Sequence, residues 1–348
     1  MQLVNTTPVH ATLSVSAIDG KAFRAGLITA KATFQILDGR ALLDSQTPLP
    51  AFRADQETEL GLLPRDDLRW RGSRFEVIVL GTAHAPPGKV ISAATVSLSI
   101  ATEERSLAVF GDRVWEEDVA GAPRISAPEA FIRMPLTWNR TFGGTTEVLV
   151  DVDSYVDLAE PRNPVGRGFD PGPAAEELRK AWRTPPGFPQ YDRLRRLPNL
   201  EDPGCLIQRP EDTPNPLCWA ALQVGSPLHA PPSTARDPNV AWDELPPEPE
   251  NMFRAHPTWV IARPPAEAPV RLEGMMADGS VFSFQWPALR VFADYVAGRH
   301  TGTRELMAFR LVLLPEEQRF YLVYQHPFTV IPRAGEERAM RLRLESFQ

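Results

Sequence analysis

Cysteine and secretion signals are scarce in this chain. Its 348 residues include only two cysteines, Cys205 and Cys218. The first residues, Met1 to Pro8, lack the basic start and apolar stretch of a secretory signal. A single pair of cysteines in a long chain without an export signal is expected to stay reduced, which argues against a disulfide-stapled scaffold. We therefore expect a cytoplasmic protein.

Positive charge and long apolar runs are also in short supply. The formal net charge is −7. Of the 37 basic residues, four are lysines and 33 are arginines. General nucleic-acid binding needs a basic face, so no nucleic-acid partner is expected. No apolar run approaches the roughly 20 residues that cross a bilayer, so no membrane association is expected. Arginine side chains are planar, bidentate donors that suit protein interfaces.

Both ends of the chain show the period of β-strands. Apolar and polar residues alternate, and charged, Gly or Pro turns separate the segments, as in antiparallel sandwiches. The predicted strands are Thr12–Ile18, Leu27–Leu37, Phe75–Gly81, Ala93–Ile100, Ser106–Phe110, Val270–Gly274, Val281–Trp286, Leu306–Leu314, Arg319–Gln325 and Arg338–Glu345. Asp38-Gly39, Ala277–Ser280 and Pro315–Gln318 are predicted hairpin turns. We predict a mainly β fold, with antiparallel β-sandwich architecture at both ends and less than about 15% helix.

The middle of the chain differs in composition. Of 36 prolines, 23 lie between Glu160 and Val270. Such a segment cannot be sheet interior, because proline removes a ladder donor. One short helix is predicted, Ala174–Arg183. We expect the rest of this segment to form long loops, of which the stretch Pro231–Glu250 is flexible. We divide the chain into 1–130, 131–255 and 256–348, with one integrated domain as the alternative.

Residues for metal or cofactor chemistry are not arranged convincingly. Asp151, Asp153 and Asp157 begin like a calcium loop, but Tyr155 and Val156 occupy positions that need a ligand and a glycine. We expect a polar turn, with no metal. The six histidines never pair at zinc-ligand spacing.

Catalytic and cofactor-binding motifs are equally weak. Gly166-Arg-Gly168 begins like a dinucleotide fingerprint, but Pro171 occupies the place of its third glycine. No Gly-x-Ser-x-Gly elbow is present. Carboxylates such as Glu116 and Glu117 keep glycosidase activity as an alternative function. We predict neither catalytic residues nor a cofactor.

Three motifs occur in order through the middle of the chain. They are Met134-Pro-Leu-Thr-Trp-Asn-Arg-Thr-Phe-Gly-Gly144, Glu160-Pro-Arg-Asn-Pro-Val-Gly-Arg-Gly-Phe169 and Leu197-Pro-Asn-Leu-Glu-Asp-Pro203. Each is rich in Gly, Pro and Asn, which fix unusual backbone angles and so build a shaped surface. The set resembles a bacterial family long catalogued as a domain of unknown function, whose members are encoded beside type VI secretion spike and toxin genes. The resemblance extends upstream through Ala30–Phe34, Val79–Ala85 and Leu107–Trp115.

That resemblance implies a non-enzymatic adaptor or chaperone for bacterial toxin delivery. Such a protein would bind a toxic effector through the effector's N-terminal or PAAR-type region and help load it onto the VgrG/PAAR spike. The VgrG spike protein is a second expected partner. A carbohydrate-active hydrolase and a lectin-like module on a β-sandwich remain the alternatives. A deep pocket with two carboxylates would favour the hydrolase, an aromatic-lined groove the lectin, and an open edge strand the adaptor.

Candidate partner-binding residues come from the motifs and from one basic-aromatic patch. The patch consists of Arg193, Arg195 and Arg196, near Trp182 and Tyr191 in the sequence. Arg, Trp and Tyr dominate binding hot spots, and a solvated loop face is the alternative. Asn163 and Asn199 are predicted to satisfy loop backbone groups through their side-chain amides. The full candidate set is Trp138, Arg140, Phe142, Arg162, Asn163, Arg167, Phe169, Trp182, Tyr191, Arg195, Arg196 and Asn199.

Overall fold

The fold is built from strands, as predicted. The structure is a computed structural model and describes residues 1–17, 23–66, 74–151, 154–182, 196–223, 226–228, 253–331 and 338–346. Strands account for 52% of this part and helices for 6%. The mainly β prediction is confirmed, and so is the low helix content.

The strands are numbered in chain order. They are β1 Gln2–Val4, β2 His10–Ala17, β3 Arg24–Leu37, β4 Arg40–Leu43, β5 Gln56–Thr58, β6 Gly61–Leu63, β7 Arg74–Val79, β8 Thr82–His84, β9 Ala93–Ile100, β10 Glu103–Phe110, β11 Trp115–Glu117, β12 Pro123–Ile125, β13 Arg133–Pro135, β14 Phe142–Gly143, β15 Thr145–Asp151, β16 Ser154–Ala159, β17 Arg167–Gly168, β18 Leu200–Glu201, β19 Val260–Ala262, β20 Pro269–Glu273, β21 Phe282–Gln285, β22 Leu289–Ala297, β23 His300–Leu314, β24 Arg319–Val330 and β25 Arg338–Ser346. Short 3-10 helices span Trp138–Arg140, Pro257–Trp259 and Pro315–Glu317.

The larger sheet takes strands from both ends of the chain. Its order is β1-β25-β22-β23-β24-β3-β2. In addition, β4 pairs with β3, β7 pairs with β23, and β19 pairs with β7. It curls into a half-barrel. Most neighbours are antiparallel, but β1 runs parallel to β25 and β7 runs parallel to β23. The first and last thirds of the chain therefore build one common sheet.

A five-stranded sheet, β18-β10-β9-β20-β21, again combines both ends. Phe284 of β21 stacks on Phe320 of β24 at 4.2 Å between ring centroids, and Phe320 stacks on Phe34 at 4.8 Å. This aromatic stack belongs to the main core, where apolar side chains of the two sheets meet. Burial of such side chains is the main stabilising contribution to the fold.

The predicted turns form hairpins between these strands. Asp38 and Gly39 both have positive φ, 51° and 72°, and join β3 to β4 in the backbone conformation that two-residue hairpins favour. The turn that contains Gly279 connects β20 to β21, and Pro315–Gln318 connects β23 to β24. All three hairpin predictions are confirmed.

The middle segment contains the one α-helix of the described residues. This helix, α1, spans Gly172–Ala181, two residues earlier than predicted, because Pro171 and Pro173 are compatible with a helix start. The end of the prediction, Arg183, and the stretch Pro231–Glu250 lie outside the described residues. Ala175 packs α1 against Val148 and Val150 of β15.

Two further findings concern the thiols and the membrane. Cys218 is buried and Cys205 is exposed, and both are free thiols. Within the part of the chain that the structure describes, no helix has the length and apolar character to cross a membrane.

Candidate functional site

Asn163 joins the first two sequence motifs. Its Nδ2 donates to Trp138 O at 2.9 Å, to Thr141 Oγ1 at 2.7 Å and to Phe142 O at 3.0 Å. Its own carbonyl accepts from Gly144 N at 2.9 Å. The side chain is buried, so the amide replaces water for these groups. The predicted role of Asn163 in satisfying loop backbone groups is confirmed.

Glycine is required where these two motifs cross. β14 and β17 pair in parallel, with Gly143 opposite Gly168. An ideal Cβ at Gly143, where φ is +140°, would lie 2.1 Å from Asn163 O. A Cβ at Gly166 would lie 2.7 Å from Thr141 O. The Gly content of the motifs therefore reflects close approach of two backbone segments.

Asn199 connects the third motif to the upstream one. Its Nδ2 donates to Phe110 O at 3.1 Å and to Asp112 Oδ1 at 2.9 Å, and its Oδ1 accepts from Arg140 Nη1 at 3.2 Å. Asn199 is fully buried. Its predicted backbone-satisfying role is confirmed as well.

A buried ion pair that the sequence interpretation missed holds the same segments together. Arg113 Nη2 donates to Glu201 Oε1 and, at 2.7 Å, to Pro198 O. Glu201 Oε2 accepts from Ile207 N at 2.8 Å. Both charged residues lie inside the quoted motifs, and this shared position was the sequence signal that could have revealed the ion pair. We call the four interlocked segments, 107–115, 134–144, 160–169 and 197–203, the motif module.

The candidate aromatic residues mostly pack inside the module. Phe142 is 2% exposed and forms a small core with Leu197 and Ile207, against which Phe169 packs. Trp138 is half-buried, and its Nε1 donates to Ala220 O at 3.1 Å. The side chains of Phe142, Asn163 and Asn199 are buried and shape the loops, and their predicted role in partner binding stays a prediction. Trp182, at the end of α1, is 52% exposed.

Three arginines of the candidate set lie close together, and we call them the arginine cluster: Arg140, Arg167 and Arg196. Burial, followed by the positive charge of Arg140, lowers the pKa of Arg167; Arg196 contributes in the same direction. Asp112 opposes this at 3.5 Å between Arg167 Nη1 and Oδ1. Arg196 is the exposed member.

The remaining candidates are placed separately. Arg162 is held by Glu160, with Nε 2.7 Å from Oε1, and this hydrogen bond lowers the pKa of Glu160. Tyr191 and Arg195 lie outside the described residues. Their place in the basic-aromatic patch stays a prediction.

The aspartates of the calcium-like segment lie on a hairpin. Asp151 ends β15 and Asp157 lies in β16 opposite Glu147, while Asp153 lies outside the described residues. In the described ranges, no group of three or more His, Cys, Asp or Glu side chains could hold a metal ion.

A second charged cluster, also missed from the sequence, lies inside the large sheet. Lys31 Nζ lies 2.6 Å from Asp66 Oδ2, and Arg310 Nε lies 2.6 Å from Glu76 Oε1. Glu76 Oε2 also accepts from Arg254 N at 2.6 Å. Burial lowers the pKa of Lys31 to about 8. We call these five residues the buried charge network.

One side of β2 is an open sheet edge. Among the described residues, β2 pairs only with β3 and ends the larger sheet. From His10 to Ala17 it has no Lys, Arg, Asp, Glu, Pro or Gly. Charged residues and Pro are the ones with which proteins usually block an edge against a further strand.

A groove of about 690 Å³ opens on the larger sheet. Its polar lining includes Tyr295, His300, Arg304, His326 and Arg338. None of the described residues that line it carries a carboxylate. We call it the sheet groove.

Comparison with known proteins identifies a family. Residues 23–325, more than half of the chain, match the family described as "Uncharacterized protein conserved in bacteria (DUF2169)". Neither the curated proteins nor the solved structures contain a match to this chain. The predicted membership of a bacterial family of unknown function is thus confirmed, while the link to type VI secretion belongs to the proposal below. This chain is a member of the conserved bacterial family DUF2169.

Proposed function

We propose that this protein is a non-enzymatic adaptor that binds a toxic effector of a type VI secretion system in the cytoplasm. It would stabilise that effector, hereafter the client, and help load it onto the VgrG/PAAR spike. The observation that carries the proposal is the open edge of β2. An exposed edge presents unpaired backbone N–H and C=O groups to any extended segment that approaches it.

The chemistry of β2 suits the addition of a client strand. Its eight residues include no Lys, Arg, Asp or Glu, so no such charge repels a neighbouring strand. Val15, which is 39% exposed, offers apolar surface beside the edge. Backbone hydrogen bonds would supply affinity, and side chains next to the edge would supply selectivity.

The motif module would act as a rigid frame for additional contacts. The hydrogen bonds of Asn163 and Asn199 fix its loops before any partner arrives. Preorganised loops lose less entropy on binding. Arg196 and Trp182 reach the surface and are the side chains we assign to client contact.

The hydrolase alternative receives less support from the described surface. A glycosidase needs two carboxyl groups about 5–10 Å apart across a bound sugar. The sheet groove is large enough for a ligand, but its described lining has no carboxylate. Tyr295 and Phe328 in the same groove keep the lectin-like alternative open.

Co-purification with the proteins encoded beside this one tests the proposal. Ser14→Lys together with Ser16→Lys places two charges on the open edge and should abolish client capture. The matched control, Thr6→Lys with Ser45→Lys, adds the same charge at exposed positions outside the strands and should capture normally. Equal capture by both double variants would reject strand addition at β2.

A further inference from the structure

The sheet groove lies on one face of five neighbouring strands, β25, β22, β23, β24 and β3. The register places Ala293 opposite Arg304, Tyr295 opposite Gly302, and Ala297 opposite His300. It also places Met340 opposite Tyr295 and Arg338 opposite Ala297. Because side chains alternate along a strand, the lining residues of β22, β23 and β25 share one face.

β24 and β3 continue the same face toward the open edge. His326 lies opposite Ile28 and Phe328 opposite Gly26, and Gly26 in turn lies opposite Val15 of β2. The groove face therefore reaches the edge strand, two strands away from Phe328.

Two glycines make room for the aromatic rings beside the groove. An ideal Cβ at Gly26 would lie 2.2 Å from the ring of Phe328, and one at Gly302 would lie 2.6 Å from the hydroxyl of Tyr295. Any larger residue would displace these rings. The rings thus lie against the backbone of adjacent strands and add apolar area to the groove lining.

Charge is divided unequally between the two faces. On the opposite face, Arg290 pairs with Glu305 at 2.7 Å and Arg343 with Asp294 at 3.3 Å. On the groove face, Arg304 forms no ion pair with any described carboxylate, and its guanidinium lies 5.7 Å from the Tyr295 ring centroid.

The electrostatics of His326 agree with this division. Burial, followed by the positive charge of Arg304, lowers the pKa of His326. The histidine is therefore mainly neutral at pH 7, and Arg304 supplies a guanidinium charge to the groove lining. Arg338 also lines it, while its Nη2 donates to Ile331 O.

We propose that the sheet groove binds an acidic, apolar peptide segment of the client, with a carboxylate on Arg304 and apolar side chains on Phe328 and Ile331. The occupant's chemistry follows from complementarity, because the lining combines apolar surface with positive charge and has no described carboxylate. Guanidinium–carboxylate hydrogen bonds are strong and directional. This inference rests on the adaptor function and specifies which client chemistry the groove would recognise.

Fluorescence anisotropy with two labelled peptides tests it on the full chain. One peptide alternates leucine or phenylalanine with aspartate or glutamate, and the other replaces the acids by asparagine and glutamine. The acidic peptide should bind at least about tenfold more tightly, and added NaCl should weaken it. Equal binding of both peptides, or of neither, would overturn the proposal.

Variants locate the binding. Arg304→Gln should weaken the acidic peptide about tenfold, while Arg341→Gln, an exposed arginine of β25 on the opposite face, should not. Arg338→Gln provides a second groove variant, and unchanged thermal midpoints establish that all three are folded. Equal weakening by Arg341→Gln would show nonspecific charge attraction and reject the groove.

Other occupants are distinguished in the same series. Binding of laurate with no binding of the acidic peptide would assign the groove to a lipid, and a dimer that Arg304→Gln dissociates would assign it to a second copy.

The edge variants at Ser14 and Ser16 should retain peptide binding, because these residues alternate with Leu13 and Val15, which lie on the groove face. Client capture without peptide binding would reject the groove proposal alone, and peptide binding without client capture would reject the adaptor function alone.

Discussion

The carbonyl oxygen of Asn163 occupies the space where any side chain at Gly143 would begin. The separation from an ideal Cβ is only 2.1 Å, and Gly143 also has φ of +140°. The two sequence motifs that contain these residues can therefore pack this closely only because Gly143 has no side chain. Because Asn163 also holds three groups of the first motif, this crossing fixes the whole module.

Replacing Gly143 by Ala should destabilise the protein by more than replacing Gly88. Gly88 has a φ of +71° but open space around its Cβ position, so Gly88→Ala measures backbone strain alone, about 1 kcal/mol. Gly143→Ala adds a collision with backbone and should cost at least about 2 kcal/mol more. Urea unfolding of both variants gives the comparison, and equal midpoints would contradict the tight crossing.

The buried charge network predicts a large penalty for neutralising Glu76. Its carboxylate accepts from Arg310 Nε and from the backbone N–H of Arg254 and Ala255. Glu76→Gln would leave the more distant Asp66, 3.7 Å away, as the described carboxylate that faces buried Arg310. We expect a loss of about 3–5 kcal/mol in the free energy of unfolding, because removing one partner strands a buried charge.

The control for that prediction is an exposed ion pair. Glu305→Gln breaks the pair with Arg290, whose side chains are 36% and 42% exposed. Solvent screening makes such pairs weak, so this variant should unfold close to the native midpoint. Similar losses in the free energy of unfolding for Glu76→Gln and Glu305→Gln would contradict the claim that burial makes the network sensitive to neutralisation.

Stability should depend on the ionisation of Glu160. The hydrogen bond from Arg162 lowers the pKa of Glu160 in the folded state. A lowered carboxyl pKa contributes stability above the unfolded-state pKa, and this contribution is lost as pH falls through the folded value. Glu160→Gln should therefore be less stable than the native chain at pH 7, by about 1 kcal/mol. Thermal unfolding should show the two converging below about pH 4; a constant difference at every pH would contradict this.

Much of the secondary structure was predictable because the signals are local. The alternation in β2 and β9 and the Asp38-Gly39 turn specify strands and a hairpin without reference to the rest of the chain. Which strands become neighbours depends on contacts between distant segments. The parallel pairing of β7 with β23 joins residues more than 200 positions apart and leaves no local pattern.

The site was predictable in part for the same reason. Motif composition indicated loops that need Gly and Asn, and the backbone contacts of Asn163 and Asn199 agree with it. Lys31 and Glu76 lie in strands that are buried on both faces, where a charge is unexpected unless its partner is known. Those partners are distant in sequence, so only the fold reveals the network.

The exposed arginine of the cluster should contribute to client binding. Substituting Arg195 and Arg196 by Ala should weaken client capture by about 1–3 kcal/mol while the thermal midpoint stays unchanged. Arg299→Ala, at the exposed turn between β22 and β23, is the control. Calorimetric titration with the purified client measures the difference, and equal affinities would assign Arg196 to a solvated loop face.

The central claim is tested most directly by the fate of the neighbouring toxin in cells. Its soluble and secreted amounts should be measured with this protein present, with it deleted, and with the Ser14→Lys, Ser16→Lys variant restored in its place. The adaptor account predicts that the toxin becomes insoluble or stays unsecreted in the second and third strains, because a client is stabilised only by a partner that binds it. A toxin that stays soluble and is secreted equally well in all three strains would contradict the account.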